Sequence, residues 1–301
     1  MYCRGCNGFC TLRCMKDDNS ENIDGIIPLC SFFGCPMILT LEFDLSKALL
    51  DKIYNDFEDE EHLNWSSLST GSLAATGVTD GQGVYQLGYR NAAGLIELVY
   101  IGKTDAKAGL LTRLTRHARK VSQRLNINQS NVFFKAIRVY VFTPLDLEQQ
   151  LIARYKGAGQ PPTWNTSGFG SNDPGRERDT TGVKDNHFDA LFPINTGLTV
   201  TLPFPVRTLV TVRDVLSSLK SQLSYLIRFE MAAKGSKTPH PDLLAATVSF
   251  TTLTDSVENI LLALKPSLTN PALGQPWQIT HFPGYIIVYK ESKTYRHGVL
   301  L

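Results

Sequence analysis

The chain has 301 residues, of which 43% are hydrophobic and 19% charged, and a formal net charge of +2. That length holds one large domain or two ordinary ones with buried cores, and the composition is that of a globular protein rather than a disordered or fibrous one. No stretch approaches the roughly 18 uninterrupted apolar residues of a membrane span, and the opening MYCRGCNGFCTLRC lacks the apolar centre and cleavage site of a signal peptide, so a cytoplasmic location without membrane partners is expected.

All six cysteines fall in the first 35 residues, as Cys3, Cys6, Cys10, Cys14, Cys30 and Cys35. The first four are crowded into a C-x2-C-x3-C-x3-C run, whereas zinc sites usually separate two close pairs by a longer loop. Two readings stand side by side: a zinc or cluster ligand set at Cys3, Cys6, Cys10 and Cys14, or a disordered lead over residues 1–36, with Met37 opening the folded chain. From Met37, MILTLEF alternates as a strand, and Leu45 to Phe57 has helical spacing of apolar residues. Residues 64–82 are rich in Ser, Thr and Gly and read as a linker or loop.

Gly83 to Tyr89 and Leu95 to Ile101 are expected strands of an antiparallel hairpin, turned at Arg90 to Gly94. The second strand runs into Gly102-Lys103-Thr104, which has the look of a phosphate-binding loop. Such a loop needs a glycine five residues before Gly102, and that position is Glu97, a carboxylate within a strand. A nucleoside-triphosphate site is therefore excluded. Ala108 to Leu125 is an amphipathic helix, Val132 to Phe142 a third strand and Leu145 to Lys156 a second amphipathic helix, while 157–176 reads as irregular. The order β-β-α-β-α predicts an α+β core, a small mixed sheet flanked by helices.

After about residue 205, Val212 to Ala233 and Leu253 to Lys265 read as helices, and Gln278 to Phe282 with Tyr285 to Tyr289 as a hairpin across Pro283-Gly284. His240, His281 and His297 are isolated there. The expected organisation is a cysteine-rich lead (1–36), an extension and linker (37–82), a core (83–204) and a C-terminal α+β accessory region (205–301).

Charge is unevenly spread. Residues 1–62 carry twelve Asp and Glu against five Lys and Arg, and residues 103–138 carry nine Lys and Arg against Asp105 alone. The basic block is either a solvated helix face or the footprint of a surface that meets phosphates.

Five short motifs follow one another through the core: GVY at 83–85, YIGK at 100–103, RLxxH at 113–117, LEQQLI at 147–152 and WN at 164–165. In this order and spacing they resemble the GIY-YIG nuclease superfamily. The stretch LIARYKGAGQPPTWNTSGFGSNDPGRERD is similar to its type II restriction endonuclease branch, whose members carry a comparable GFG-x3-PG segment. The motifs span somewhat more than a quarter of the chain, and the hairpin is longer than in the smallest members.

The resemblance implies a metal-dependent DNA endonuclease. Phosphodiester hydrolysis needs an activated water, charge stabilisation at the phosphate and help for the leaving 3′ oxygen. Glu148 is the one acidic residue in a motif, so a single Mg²⁺ or Mn²⁺ held by Glu148 is expected. The Arg113 fork suits the oxygens of the scissile phosphate. Tyr85 would act as general base or orient the water, and with a free tyrosine pKa of about 10 it needs cations nearby; Lys103 is the expected helper. Tyr100 and His117 would complete the site, and Asn165 would fix its geometry by hydrogen bonding. Outside the motif context, Glu148 reads as an exposed helix carboxylate and Tyr85 and Tyr100 as buried sheet tyrosines.

Lys107, Arg116, Arg119, Lys120 and Arg124 would contact DNA backbone phosphates, which supply affinity without sequence information. Asn172, Arg176 and Arg178 are the candidates for reading base edges. Cutting both strands of double-stranded DNA with one site per chain favours a homodimer. The competing readings are a mobile-element or repair nuclease of the same superfamily, a DNA-binding protein without catalysis, and a cysteine-rich metal sensor.

Overall fold

The computed structural model describes residues 45–104, 107–140, 147–166, 169, 177–180, 182–269, 274 and 276–301. The cysteine cluster, the strand expected at 37–43, Asn172 and Arg176 lie outside these residues, as does the side chain of Arg178. The chain forms two units, Met1–Asp51 and Lys52–Leu301; the described part of the first is the opening of helix α1 (Leu45–Glu58).

In the second unit the expected linker is built structure. It holds β1 (Ser66–Ser67) and α2 (Thr70–Ala75), the latter closed by a reciprocal Ser69/Ser72 capping box. Its polar composition hides Leu68 and Leu73, both buried, which anchor the segment to the core. Then come β2 (Gly83–Arg90), β3 (Ile96–Thr104), α3 (Leu110–Ser122), a 3-10 turn (Gln129–Asn131), β4 (Val132–Arg138) and α4 (Leu147–Gly157). The hairpin turns on Asn91, whose Oδ1 accepts from the N–H groups of Ala93 and Leu95, with Gly94 at a φ of 84°.

The strand order is β1-β4-β2-β3, with every pair antiparallel. The sheet expected to be mixed is therefore antiparallel. The reason is the crossover: α3 carries the chain over β2, so β4 runs in the direction of β3 but pairs with the strand between them. β2 is central and buried on both faces. On one face Tyr85 and Leu87 meet Leu110, Leu114, Ala118 and Val121 of α3. On the other, Gln86 donates to the Tyr155 hydroxyl of α4 at 2.7 Å, Tyr155 donates to Glu58 of α1 at 2.7 Å, and Lys135 of β4 donates to the Phe57 carbonyl. The result is a helix–sheet–helix sandwich around β2.

Short helices α5 (Thr163–Thr166), α6 (Glu177–Thr180) and α7 (Phe188–Leu191) lead to a second core that begins at Ile194. Its elements are β5 (Thr199–Thr201), β6 (Val210–Thr211), α8 (Val212–Gln222), β7 (Leu226–Phe229), α9 (Pro241–Ala245), β8 (Thr247–Val248), β9 (Thr254–Ser256), α10 (Val257–Leu268), β10 (Trp277–His281), β11 (Tyr285–Lys290) and β12 (Val299–Leu300). The sheet β12-β10-β11-β7 includes the expected hairpin, and its β11/β7 pair is parallel. The helix expected to reach residue 233 stops at Gln222: Leu223 turns extended, and 226–229 becomes a strand because β11 supplies a partner. Among the described residues no helix is long and apolar enough to cross a membrane.

Candidate active site

Register places the two motif tyrosines. Tyr85 pairs with Gly102 and Tyr100 with Leu87, and the register shift beyond Leu87 leaves Val99 without an opposite residue. Side chains alternate along a strand, so Tyr85, Leu87, Tyr100 and Gly102 share the face toward α3. The tyrosine rings lie with centroids 6.1 Å apart. The glycine of YIGK is required by this contact: a Cβ on Gly102 would stand 2.3 Å from the Tyr85 hydroxyl oxygen and 2.8 Å from Tyr100 Cε1. Only a residue without a side chain lets Tyr85 cross β3.

α3 supplies the next two groups. Its N-terminus is fixed from outside the helix by Asp80, whose carboxylate accepts from the Thr112 amide at 3.0 Å and the Thr112 hydroxyl at 3.3 Å. Gly109, at a φ of 70°, leaves room for that carboxylate, which a Cβ would meet at 2.1 Å. One turn in, Arg113 and His117 lie four residues apart on one face. Arg113 Nε donates to the Tyr85 hydroxyl at 3.3 Å, and that hydroxyl lies 2.8 Å from His117 Nε2. A guanidinium can only donate, so the Tyr85 oxygen accepts from Arg113; with the imidazole protonated on Nδ1, the Tyr85 hydroxyl donates to His117 Nε2.

Burial dominates the electrostatics. It pushes the Tyr85 hydroxyl far above the ordinary phenol range, with Tyr100 and Glu148 adding to the effect and Arg113 opposing it. Tyr100 is raised for the same reasons, burial first and then Glu148. The lowering by cations expected for Tyr85 is therefore reversed by desolvation. His117 is held neutral, its pKa well below the usual imidazole value through burial, then the charges of Arg113 and Lys120. Burial works against the Arg113 charge, but the two tyrosine hydroxyls outweigh it and raise its pKa.

The remaining motif residues approach from the β3 side. Glu148, half-buried in the first turn of α4, bears on both tyrosine hydroxyls through its charge. Asn165 of α5 clamps β3, which is the edge strand: its Oδ1 accepts from the Ile101 amide and its Nδ2 donates to the Ile101 carbonyl, both at 2.8 Å. The amide thus satisfies open-edge backbone groups between Tyr100 and Gly102. Phe169 closes the site. It stacks on His117 with centroids 4.8 Å apart and meets Tyr100 edge-on at 5.2 Å.

Other expected residues are placed differently. Lys103 is exposed and follows Gly102 in the strand alternation, on the face away from Tyr85. The cation at the Tyr85 hydroxyl is Arg113 instead. Lys107, Arg116 and Arg119 are exposed, and Arg119 also donates to the Gln222 carbonyl at 3.1 Å. Lys120 and Arg124 turn inward, which corrects the expectation that they meet DNA phosphates. Lys120 donates to the Phe169 carbonyl and lies over the Phe169 and Phe188 rings. Arg124, with a side chain only 3% exposed, pairs with Asp189 at 2.7 Å.

Sequence reasoning missed Asp80, which lies far from the helix that it caps, so that Gly109 was the only nearby sign. Phe169 is a second such residue, and its only sequence sign is its place in the GFG segment. Among the described residues no cluster of three or more His, Cys, Asp or Glu side chains forms a preassembled metal cage. The donor set at the site is one carboxylate, Glu148, which fits a hard divalent cation that completes its shell with water and substrate phosphate oxygens. The sequence matches no protein-family model and no curated protein.

Proposed function

We propose that the chain is a Mg²⁺- or Mn²⁺-dependent DNA endonuclease of the GIY-YIG superfamily, of restriction or defence type, acting on double-stranded DNA as a homodimer. The observation that carries the reading is the convergence of motif residues distant in sequence: Tyr85, Tyr100, Arg113 and His117 form one hydrogen-bonded and aromatic cluster, with the Glu148 charge beside it.

The cluster supports a division of labour. Arg113 binds the scissile phosphate and places it over the tyrosine pair. A water beside Tyr85 loses a proton to the phenol oxygen as Tyr85 passes its own proton to His117 Nε2; the water oxygen then attacks phosphorus, the bond to the 3′ oxygen breaks, and that oxygen takes up a proton from solvent water. No free tyrosinate is needed, which matters because burial makes one costly. The phosphodiester charge arriving at Arg113 offsets a charge that keeps His117 neutral, so the imidazole becomes a better base when substrate is bound. A divalent cation held by Glu148 would supply charge stabilisation for the phosphate and the leaving oxygen. Phe169 shields the imidazole from bulk water, and Asn165 holds the edge of β3 in place.

The exposed Lys107, Arg116 and Arg119 supply backbone affinity, which weakens as salt rises. The test is incubation of the purified protein with plasmid DNA and Mg²⁺: Glu148→Ala abolishes cleavage while DNA binding survives. Plasmid left intact by wild type, across varied sequences and with either metal, excludes the enzyme reading.

A further inference from the structure

The C-terminal end of α3 is held by the second core and by the α7–Pro193 segment that leads into it. The Ser224 amide donates to Gln123 Oε1 at 2.6 Å, and the Ser224 hydroxyl to the Arg119 carbonyl at 3.1 Å. Arg119 returns a bond to the Gln222 carbonyl. The chain at 193–195 runs alongside: Leu125 N–H donates to the Pro193 carbonyl at 2.8 Å and Asn195 N–H to the Gln123 carbonyl at 3.0 Å. Buried Arg124 then donates to Asp189 at 2.7 Å and to the Phe192 carbonyl at 3.1 Å. Its counterion is fitted closely to the β10–β11 turn, since a Cβ on Gly284 would stand 2.4 Å from Asp189 Oδ2. The same turn accepts the Ile194 amide through Pro283 at 2.8 Å.

Two facts turn this contact into a functional one. Arg124 is the second residue after α3 ends at Ser122, bridged antiparallel to Ile194 of the second core, and its side chain is buried like Leu114, His117 and Val121 of the helix. At the other end of α3 the Leu110 amide donates to the Gly81 carbonyl at 3.1 Å and the exposed Asp80 caps Thr112. The axial position and rotation of α3 decide whether His117 Nε2 and Arg113 Nε both meet the Tyr85 hydroxyl, and the buried ion pair directly after the helix fixes its C-terminal end.

We infer that residues 194–301 are a working part of the catalytic unit: the second core clamps the C-terminal end of α3, and Arg124, paired with Asp189, is the positioning residue that holds His117 and Arg113 on Tyr85. The inference deepens the nuclease reading, and its catalytic consequence rests on it.

The test uses the intact chain with Arg124→Met, which keeps length and removes the charge, and Arg124→Lys, which keeps the charge. Their folding is checked by circular dichroism, and the carbon and nitrogen NMR resonances of the His117 imidazole are compared with wild type. The Met variant shifts those resonances, and its kcat on plasmid falls about tenfold or more with KM within about twofold, the pattern of a displaced catalytic group. The Lys variant recovers most of both. A folded Met variant with wild-type His117 resonances overturns the inference. Should that variant not fold, Gln123→Ala, which removes only the bond to Ser224, is read instead; a smaller shift supports the clamp and none overturns it. A shifted His117 in a protein whose wild type leaves DNA intact sinks the nuclease reading and keeps the clamp.

Discussion

The Tyr85 hydroxyl and His117 Nε2 are joined across 2.8 Å, with both side chains buried. Neither group is charged in the resting site, because burial raises the phenol and lowers the imidazole. The two form a neutral hydrogen-bonded pair, with Arg113 as the adjoining cation.

That neutrality gives stability a pH dependence. An unfolded histidine titrates near about 6.5, and His117 in the fold titrates well below that. Between the two values the unfolded chain takes up a proton that the folded chain refuses, so this contribution is complete above about pH 6.5 and is lost as pH falls toward the folded value. His117→Gln flattens the acid limb of stability. Urea unfolding of both proteins at about pH 5 and about pH 7.5 measures it, and equal losses on acidification in the two proteins would count against the neutral pair.

Gly102→Ala places a methyl group against the Tyr85 hydroxyl. The ring must shift, at a cost of about 1–3 kcal/mol for an overpacked core site, and the bonds to His117 and Arg113 are disturbed together. Denaturant titration reads the cost. An alanine variant as stable as wild type would contradict the close approach.

Asn165→Asp converts the clamp on Ile101 into a repulsion, because a carboxylate oxygen replaces the donor that faces the Ile101 carbonyl. The loss is about 1–3 kcal/mol, with faster hydrogen exchange at the Ile101 amide as the local signature.

Much of this architecture was legible. The alternation through GVYQLGYR and IELVYIGKT marks a hairpin, and the 110, 114, 118, 121 spacing marks the packed face of α3. Arg124 lies just past the end of α3 and is drawn inward by its bridge to Ile194 and its pair with Asp189, partners far along the chain, while its charge suggests a surface role. Proximity of the tyrosines was expected; the register shift at Val99 was not, since it depends on strand pairing. The strand at 226–229 was hidden for a related reason: its apolar residues fit a helix equally well, and the deciding partner, β11, lies nearly sixty residues later. Lys103 was misjudged because neighbours in a motif point to opposite faces of a strand.

Whether this cluster hydrolyses DNA is decided by conversion of supercoiled plasmid in the presence of Mg²⁺. Wild type should nick or linearise the plasmid, Glu148→Ala should leave it intact while still retarding DNA, and Tyr85→Phe should retain the fold with a loss of about 10²–10⁴ in rate. Cleavage by Tyr85→Phe and Glu148→Ala at the wild-type rate, or intact plasmid with wild type, would contradict the account.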